Sequence, residues 1–472
     1  MTDEHIDGLP DLVGTAARVE RGEVSPPELV ERSLRAISEL NSALNAHITV
    51  LEETARRQAE VAEREIQSGR YRGPLHGIPV SVKDLYWTAG VRTTSGSRVL
   101  ADFVPGEDAA VVQRLRQAGA IIVAKANMLE FAYASAHPDY GATRNPWDVT
   151  KSASGSSGGS AASVAAGLDF GSFGTDTGGS IRLPAAYCGV AGLKPTHGLI
   201  SRFGVQPLSW TLDHAGPFAR SVADLAVLLE ATAGFDPRDA QSANRPAPRY
   251  RQKLSASLDG LSIALLTNFM DDSIASEVRR AVQAATKVFS DAGATLREIA
   301  IPELEGDTLD AVMGILLPEA SYYHREWIDV HQADYTQVVY ERLRAGQDVR
   351  AVAYFGALEA RERLRVRLRE IQQDVDLLLL PMSATPAGPL EGMTVERTEG
   401  DRRLTNLMRL SAPFDLTGQP ALSLPCGFSR DGLPLALQLV GRDFEDELIL
   451  RAGYAYQQGT DWHRRRPPVS AR

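Results

Sequence analysis

The distribution of apolar and polar positions along the chain predicts an alternating series of helices and strands. Residues 25–28 (Ser-Pro-Pro-Glu) carry the signature of a helix start, and apolar residues then recur at Leu29, Leu34, Ile37 and Leu40, close to the helical period. Short apolar runs predict strands at 78–83, 120–124, 262–267, 295–301, 375–380, 421–424 and 435–440. Helical patterns occupy 108–118 and 276–292 between these strands, and 445–458 after the last of them. This alternation predicts an α/β architecture around a mixed or mostly parallel sheet.

The chain of 472 residues is 43% hydrophobic, which is enough to bury a sizeable core. We interpret residues 1–472 as one large domain, since large α/β enzymes often exceed the usual domain length. Within it we expect a helical region over 1–70, a core over 77–230, and an exposed connection over 235–255 that is rich in Pro, Arg, Asn and Ser.

Charge and hydropathy exclude several classes of protein. The chain has 50 basic and 60 acidic residues, and a net charge of −10 does not favour binding to nucleic acid or to an anionic membrane. No stretch approaches the ~18 apolar residues of a membrane helix, and the acidic first residues do not resemble a secretion signal. We therefore expect a cytoplasmic enzyme. Its oligomeric state stays open, with a homodimer among the options.

The sequence contains no standard metal or nucleotide motif. Its two cysteines, Cys188 and Cys426, are too few for a disulfide framework or a cysteine-based zinc site, and the nine histidines are scattered singly. We expect no metal and no organic cofactor.

Residues 152–181 stand apart, because 16 of the 30 are Gly or Ser and none is Lys or Arg. Such a composition is typical of a flexible linker. However, residues 161–167 favour a helix and residues 170–173 are apolar, so the segment alternates order with glycine turns. Small residues in ordered structure allow main-chain N–H groups to face a ligand. We predict a buried site here.

The chemistry of this segment points to a serine nucleophile. Ser180 ends a run of small residues, 174–180, whose N–H groups suit a developing oxyanion, and Ser156 lies 24 residues earlier. No histidine is near in sequence, but Lys83 ends an apolar strand, and a buried lysine with a lowered pKa can act as a base. Residues 155–159 also match the nucleophile-elbow pattern around Ser157. That pattern requires a buried strand just before it, whereas residues 145–153 are polar and predict a loop.

The motifs together resemble the amidase signature family. They are Gly-Ser-Ser-Gly-Gly-Ser at 155–160, Gly-Thr-Asp-Thr-Gly-Gly-Ser-Ile-Arg at 174–182 and Gly-Leu-Lys-Pro-Thr at 192–196, with Gly-Ile-Pro-Val-Ser-Val-Lys-Asp at 77–84, Leu-Asp-His-Ala-Gly-Pro at 212–217 and Leu-Pro-Leu-Ala-Leu-Gln-Leu-Val-Gly at 433–441. The resemblance covers almost the whole chain in the family's order. It implies the amidase-signature fold, an α/β fold whose central mixed sheet is flanked by helices on both faces.

The resemblance also implies a catalytic triad. Ser180 would be the nucleophile, Ser156 a bridging serine that follows a cis peptide bond, and Lys83 the base. The oxyanion hole would be formed by backbone N–H groups, namely those of Thr177, Gly178, Gly179 and Ser180. Asp176 and Arg182 would brace the loop, the alternative being a plain surface salt bridge. Ser154 departs from the glycine that is frequent in the family at this position.

The predicted activity is hydrolysis of a C–N amide bond through an acyl-enzyme. Four largely apolar residues are candidate walls of the substrate pocket: Met128, Phe131, Tyr133 and Trp210. They favour a small, uncharged aryl or alkyl amide, although they could equally be core residues. Two alternatives stay open. One is the glutaminase subunit of a tRNA-dependent amidotransferase, in which Gln typically replaces Leu183, and the other is an inactive binding homologue.

Overall fold

The computed structural model describes residues 11–246, 249–390 and 408–470. Residues 1–10 of the predicted helical region and residues 247–248 of the predicted connection lie outside this part of the chain. The helices are α1 (Leu12–Glu20), α2 (Pro26–Leu44), α3 (Glu52–Gln67), α4 (Ala110–Gln117), α5 (Gly158–Ala166), α6 (Arg182–Cys188), α7 (Val222–Thr232), α8 (Ser276–Asp291), α9 (Thr308–His324), α10 (Gln337–Gln347), α11 (Ala351–Ile371), α12 (Ala412–Thr417) and α13 (Asp446–Gln458). The strands are β1 (His47–Val50), β2 (Pro79–Lys83), β3 (Ile121–Ala126), β4 (Arg144–Asn145), β5 (Asp148–Ser152), β6 (Ser172–Asp176), β7 (Ala191–Lys194), β8 (His214–Ala219), β9 (Ser262–Leu266), β10 (Thr295–Ile299), β11 (Leu377–Pro381), β12 (Ala421–Phe428) and β13 (Pro434–Val440).

Eleven of these strands form one mixed sheet within the described residues. Its order is β1-β3-β2-β6-β8-β7-β12-β13-β11-β9-β10. Strands β3, β2 and β6 are parallel, as are β11, β9 and β10, while the strands between these two groups pair antiparallel. The predicted mixed α/β sheet is confirmed, and β2 lies inside it between β3 and β6.

Helices cover both faces of this sheet. Along β3, Ile121 and Val123 pack with residues of α2, α3 and α5, whereas Ile122 packs in a second core with residues of α4 and α7. Successive residues of a strand point to opposite faces, so a strand that is apolar throughout must be covered on both. In the described residues no helix has the length and apolar character needed to cross a membrane.

Local signals account well for several elements. The helix start predicted at residues 25–28 is a capping box, in which the Ser25 hydroxyl accepts the Glu28 N–H (3.3 Å) and the Glu28 carboxylate accepts the Ser25 N–H (2.7 Å). In contrast, the predicted helical region over 1–70 also contains strand β1, whose His47–Val50 backbone pairs with β3. This pairing joins residues more than 70 positions apart in sequence, and the local pattern does not encode it.

The prediction of a loop over 145–153 was wrong. Strands β4 and β5 form a separate two-stranded antiparallel sheet here. Polar residues form these strands because most of the hairpin is only partly buried. Strand β5 nevertheless does not belong to the central sheet, so it is not the buried strand that a nucleophile elbow requires.

Candidate active site

The site is built around the end of β2. Lys83, its last residue, is completely buried, and its Nζ donates hydrogen bonds to Ser156 Oγ (2.6 Å) and to Thr175 Oγ1 (2.8 Å) on the neighbouring strand β6. The central position of β2 explains the burial, because strands and helices surround it on all sides. The structure therefore brings together two residues of the predicted triad that are 73 positions apart.

Burial lowers the pKa of Lys83 from its ordinary value of 10.5 to about 7. The nearby carboxylates of Asp213 and Asp176 oppose this shift only in part. At neutral pH a substantial fraction of the Lys83 amines is therefore uncharged and able to accept a proton. The other two fully buried lysines bond to other residues. Lys125 Nζ donates to the Tyr86 carbonyl and the Thr93 hydroxyl, and Lys194 Nζ donates to the Gln419 carbonyl.

Ser156 follows a cis peptide bond, as the family resemblance implies. Its side chain is buried, and its carbonyl oxygen accepts the Leu129 N–H (3.2 Å). Ser154, where a glycine is frequent in the family, has φ 66°. This left-handed conformation explains the family preference, because it favours glycine over residues with a Cβ.

Ser157, the candidate of the elbow pattern, is tied to backbone. Its hydroxyl donates to the Thr175 carbonyl (3.1 Å) and accepts the Thr175 N–H (3.3 Å). The side chain is fully buried, and it precedes helix α5. These contacts give Ser157 a structural role, because they join the start of α5 to strand β6.

Ser180 lies in the turn between β6 and α6. It is partly exposed, whereas Lys83 and Ser156 are buried, so it is the member of the predicted triad that a ligand can reach from outside. The Ser180 carbonyl accepts the Ser157 N–H (3.3 Å), which holds the turn against the residue that follows Ser156.

The backbone N–H groups of this turn do not all face the same way. The Gly179 N–H donates to the Asp176 carboxylate (2.5 Å). In the described part of the chain, the N–H groups of Thr177, Gly178 and Ser180 have no hydrogen-bond acceptor. Three of the four groups predicted for an oxyanion hole are therefore available, and the fourth orients the turn.

Asp176 and Arg182 form a buried ion pair, which excludes the alternative of a surface salt bridge. Both side chains are fully buried, and the Asp176 carboxylate accepts from Nε and Nη2 of Arg182 (3.0 Å each). Burial alone would raise the pKa of Asp176, but the Arg182 guanidinium outweighs it and holds this pKa well below its ordinary range. Arg182 also donates to Asp415 (2.5 Å), to Gln438 (2.7 Å) and to the Ser411 carbonyl (3.0 Å).

Ser411 contacts the turn directly. Its hydroxyl donates to the Gly178 carbonyl (2.6 Å), so the peptide between Gly178 and Gly179 is held at its oxygen by Ser411 and at its N–H by Asp176. Gly179 has φ 124°, and a Cβ at this position would collide with Ser411 Oγ. Only glycine fits here.

Sequence reasoning missed several residues of this site. Thr175 and Asp213 lie inside the motifs on which the resemblance was based, and their position there could have indicated a role. Ser411, Asp415 and Gln438 lie more than 200 residues from the turn. No local pattern marks Ser411 or Asp415, whereas Gln438 lies inside the motif at 433–441.

The four predicted pocket residues have different surroundings. Met128, Phe131 and Tyr133 are buried in the core. The Phe131 ring packs against aromatic rings of α9 and of the segment that follows it. Trp210 is 50% exposed and lines a cavity of about 540 Å³. Within the described residues no cluster of His, Cys, Asp and Glu could hold a metal ion.

A buried lysine, two serines and a turn of acceptor-free N–H groups are the equipment of an acyl-transfer enzyme. The family model described as Amidase matches residues 28–450. The chain therefore belongs to the amidase family, and we class it as an amide hydrolase.

Individual relatives differ in what they are named for. A glutamyl-tRNA(Gln) amidotransferase subunit of Synechococcus sp. (strain JA-2-3B'a(2-13)) is 39% identical, over 95% of this chain and 91% of the relative. Among solved structures, the native peptide amidase from Stenotrophomonas maltophilia is 32% identical with a TM-score of 0.85, covering 97% of this chain and 98% of its own. The 6-aminohexanoate cyclic dimer hydrolase complexed with substrate is 29% identical with a TM-score of 0.89, covering 98% and 100%.

Proposed function

We propose that this enzyme cleaves small, uncharged aryl or alkyl amides, with Ser180 as nucleophile, Ser156 as bridging serine and Lys83 as base. The observation that carries the proposal is the 2.6 Å contact between Lys83 Nζ and Ser156 Oγ in a fully buried setting. A buried amine whose pKa is about 7 is partly in its neutral form at neutral pH and can then accept a proton. Its location in the cytoplasm remains a prediction.

The reaction begins with two proton transfers. Neutral Lys83 takes the hydroxyl proton of Ser156 while Ser156 takes that of Ser180, and Ser180 Oγ forms a bond to the carbonyl carbon of the amide. The negative charge on the carbonyl oxygen is received by the N–H groups of Thr177, Gly178 and Ser180.

The same relay then runs backwards. The proton returns through Ser156 to the amide nitrogen, the C–N bond breaks, and the amine leaves an ester on Ser180. A water molecule attacks this ester and gives a proton to the relay. The relay passes a proton to Ser180 Oγ as its bond to the acyl carbon breaks, so that the acid is released and the Ser180 hydroxyl is restored.

Ser156→Ala tests the relay. The variant keeps Ser180 and the turn but interrupts the path to Lys83, so amide turnover should fall by roughly 10²–10³-fold, within the range for loss of general-base help. Activated esters should lose less, because their leaving groups need little protonation. The measurement is kcat/KM on a matched pair of an ester and an amide with the same acyl group.

Equal losses on the ester and the amide, in a variant with an unchanged circular dichroism spectrum, would contradict the relay. Ser160→Ala is the matched control, because it also removes a buried hydroxyl. Ser160 lies in the adjoining helix α5, and its hydroxyl donates to the Phe173 carbonyl on β6 (3.2 Å). We expect this control to keep its preference between the two substrates.

Ser411→Ala should act on the transition state through the turn. Loss of its hydrogen bond to the Gly178 carbonyl frees one end of the peptide beside the acceptor-free N–H groups. We expect kcat to fall roughly tenfold, less than the 10²–10³-fold known for loss of an oxyanion donor itself, with KM nearly unchanged. Steady-state kinetics and the melting temperature provide the measurement.

Thr232→Val in α7 is the control for Ser411→Ala, since it removes another buried hydroxyl that donates to a backbone carbonyl, that of Leu228 (2.8 Å). If both variants lose stability alike and neither loses kcat, Ser411 does not position the turn.

A second candidate function is that of a glutaminase subunit. The 39% identity to one subunit of an amidotransferase favours it, whereas Leu183 departs from the Gln that is typical there. The purified chain decides between the two: full amide hydrolysis without partner proteins supports the free-standing enzyme. Hydrolysis that is restricted to glutamine and that requires partner subunits supports the alternative. An inactive homologue is disfavoured because all three triad positions are filled.

A further inference from the structure

An aromatic cavity lies between helices α9 and α11 and the loop that precedes β8. Its volume is about 540 Å³, which is within the range of small-molecule sites. The lining residues are Trp210, Pro318, Glu319, Tyr322, Tyr323 and Tyr354. Four of the six are aromatic, and Trp210 and Tyr322 are 50% and 60% exposed. The Arg325 guanidinium lies over the Tyr322 ring, 4.2 Å from its centroid, so Trp210 provides the more accessible ring.

Asp213 fastens this loop to the turn that carries Ser180. The Asp213 carboxylate accepts the Thr177 hydroxyl (2.6 Å) and the N–H groups of Leu208 (2.8 Å) and Ser209 (3.0 Å). Trp210 is three residues before Asp213, and Ser180 is three residues after Thr177. Asp213 therefore forms a hydrogen-bonded junction between the loop that carries Trp210 and the turn that carries Ser180.

The charge of Asp213 acts on both sides of this junction. It opposes the lowering of the Lys83 pKa that burial causes. On the other side, burial raises the pKa of Tyr323 to about 12, and the charge of Asp213 contributes to that rise. One buried carboxylate thus influences both Lys83 and a residue of the cavity wall, in addition to its hydrogen bond to the turn that carries Ser180.

The walls provide no free charge for a ligand. Glu319 is buried, and its carboxylate accepts the hydroxyls of Ser209, Thr211 and Tyr354 as well as the Thr211 N–H. No lysine or arginine belongs to the lining in the described part of the chain. The Arg325 guanidinium beside Tyr322 is already bonded to the Tyr322 carbonyl (2.7 Å) and to Glu326 (3.1 Å). A charged group would therefore lose its hydration here with little compensation, whereas a flat uncharged group can stack on the aromatic rings.

We infer that this cavity binds an aryl group of the substrate, either on the acyl or on the amine side of the scissile bond. The inference rests on the proposed function for the identity of the reacting amide, and it narrows the aryl or alkyl choice to aryl. A cavity of about 150 Å³ is already sufficient for a benzene ring, so the available volume accommodates a substituted ring.

Binding and turnover are measured separately, so that the two proposals can fail separately. Binding of acetanilide, phenylacetamide and N-cyclohexylacetamide is measured by calorimetry in the Ser180→Ala protein, which cannot turn them over. Acetanilide has its ring on the amine side and phenylacetamide on the acyl side. N-cyclohexylacetamide has a ring of similar size without aromatic character.

Adding Trp210→Ala should weaken binding of at least one aryl amide by roughly 10- to 100-fold, as expected for loss of one large aromatic contact. N-cyclohexylacetamide should bind more weakly at the start and lose less. Phe355→Ala is the matched control, because Phe355 is an aromatic residue of α11 that is 71% exposed and does not line the cavity. It should leave all three affinities unchanged.

Equal losses on aryl and cyclohexyl amides, or no binding of either aryl amide, would overturn the inference whatever the enzyme hydrolyses. Conversely, aryl amides that bind through Trp210 while wild-type protein hydrolyses no amide would support the cavity and refute the proposed function. Tyr322→Ala provides a second variant on α9. Its losses should follow those of Trp210→Ala, and selective losses in neither variant would also overturn the inference.

Discussion

Ser180→Ala should reduce amide turnover by on the order of 10⁶-fold, the loss seen when a serine nucleophile is removed from a catalytic triad. The expected size follows from the proposed chemistry, since no acyl-enzyme can form without the Ser180 hydroxyl, and Ser156 is buried and cannot replace it. The measurement is kcat/KM on a hydrolysed amide. A fluorophosphonate probe should label the wild-type protein at Ser180 and fail to label the variant.

Ser33→Ala is the control, because it removes a buried serine hydroxyl from α2, away from the site. It should retain both activity and labelling. Peptide mapping that found the probe on Ser157 would contradict the assignment and restore the elbow hypothesis, even though the Ser157 hydroxyl is bonded to the Thr175 backbone.

Replacing Lys83 should cost roughly 10⁴-fold in kcat/KM, the upper end of the range for a general base. Lys83→Arg should be as damaging as Lys83→Met, because a guanidinium group keeps its proton in proteins. In the wild type, kcat/KM should rise with pH through about 7, where Lys83 loses its proton, and then stay high into mildly alkaline solution. A pH–rate profile on an uncharged amide measures this.

The lowered pKa of Lys83 also makes the free energy of unfolding depend on pH. Because the pKa of Lys83 is about 7 when folded and 10.5 ordinarily, the unfolded chain binds more protons between these values, and the free energy of unfolding rises with pH there. Lys83→Met lacks this contribution. The free energy of unfolding of the variant minus that of the wild type should therefore fall as pH rises from 7 to 10.

Lys287→Arg is the control for the arginine substitution, since Lys287 is exposed and paired with Asp291 on α8. It should be fully active. An active Lys83→Arg enzyme, or a rate that does not change between pH 6 and 8, would exclude Lys83 as the base.

Part of the site was readable because its chemistry is local in sequence. The turn from Asp176 to Arg182 is a short run whose small residues allow backbone N–H groups to face a ligand, and its ion pair spans six positions. Lys83 was recognisable for a different reason. The chain uses only six lysines among its 50 basic residues, and this one ends a strongly apolar strand.

Other parts could not be read, because burial is a property of the assembled fold. Phe131 and Trp210 are both aromatic residues in loop segments, yet Phe131 packs against rings near the end of α9 while Trp210 stays half exposed. The direction of the Gly179 N–H was equally hidden. It depends on the position of the Asp176 carboxylate, which Arg182 holds in turn with help from Asp415.

The sequence by itself determined the alternation of helices and strands, the motifs of the amidase family and the residue types of the proposed triad, because these depend on periodicity and on contiguous runs. Only the tertiary structure decided which strands are neighbours, that Ser411 and Gln438 reach the turn, and that Lys83 is buried deeply enough for its pKa to approach 7. The physical reason is that hydrogen bonding and desolvation act over a few ångströms in space, whereas the groups concerned are separated by 73 to more than 200 positions along the chain.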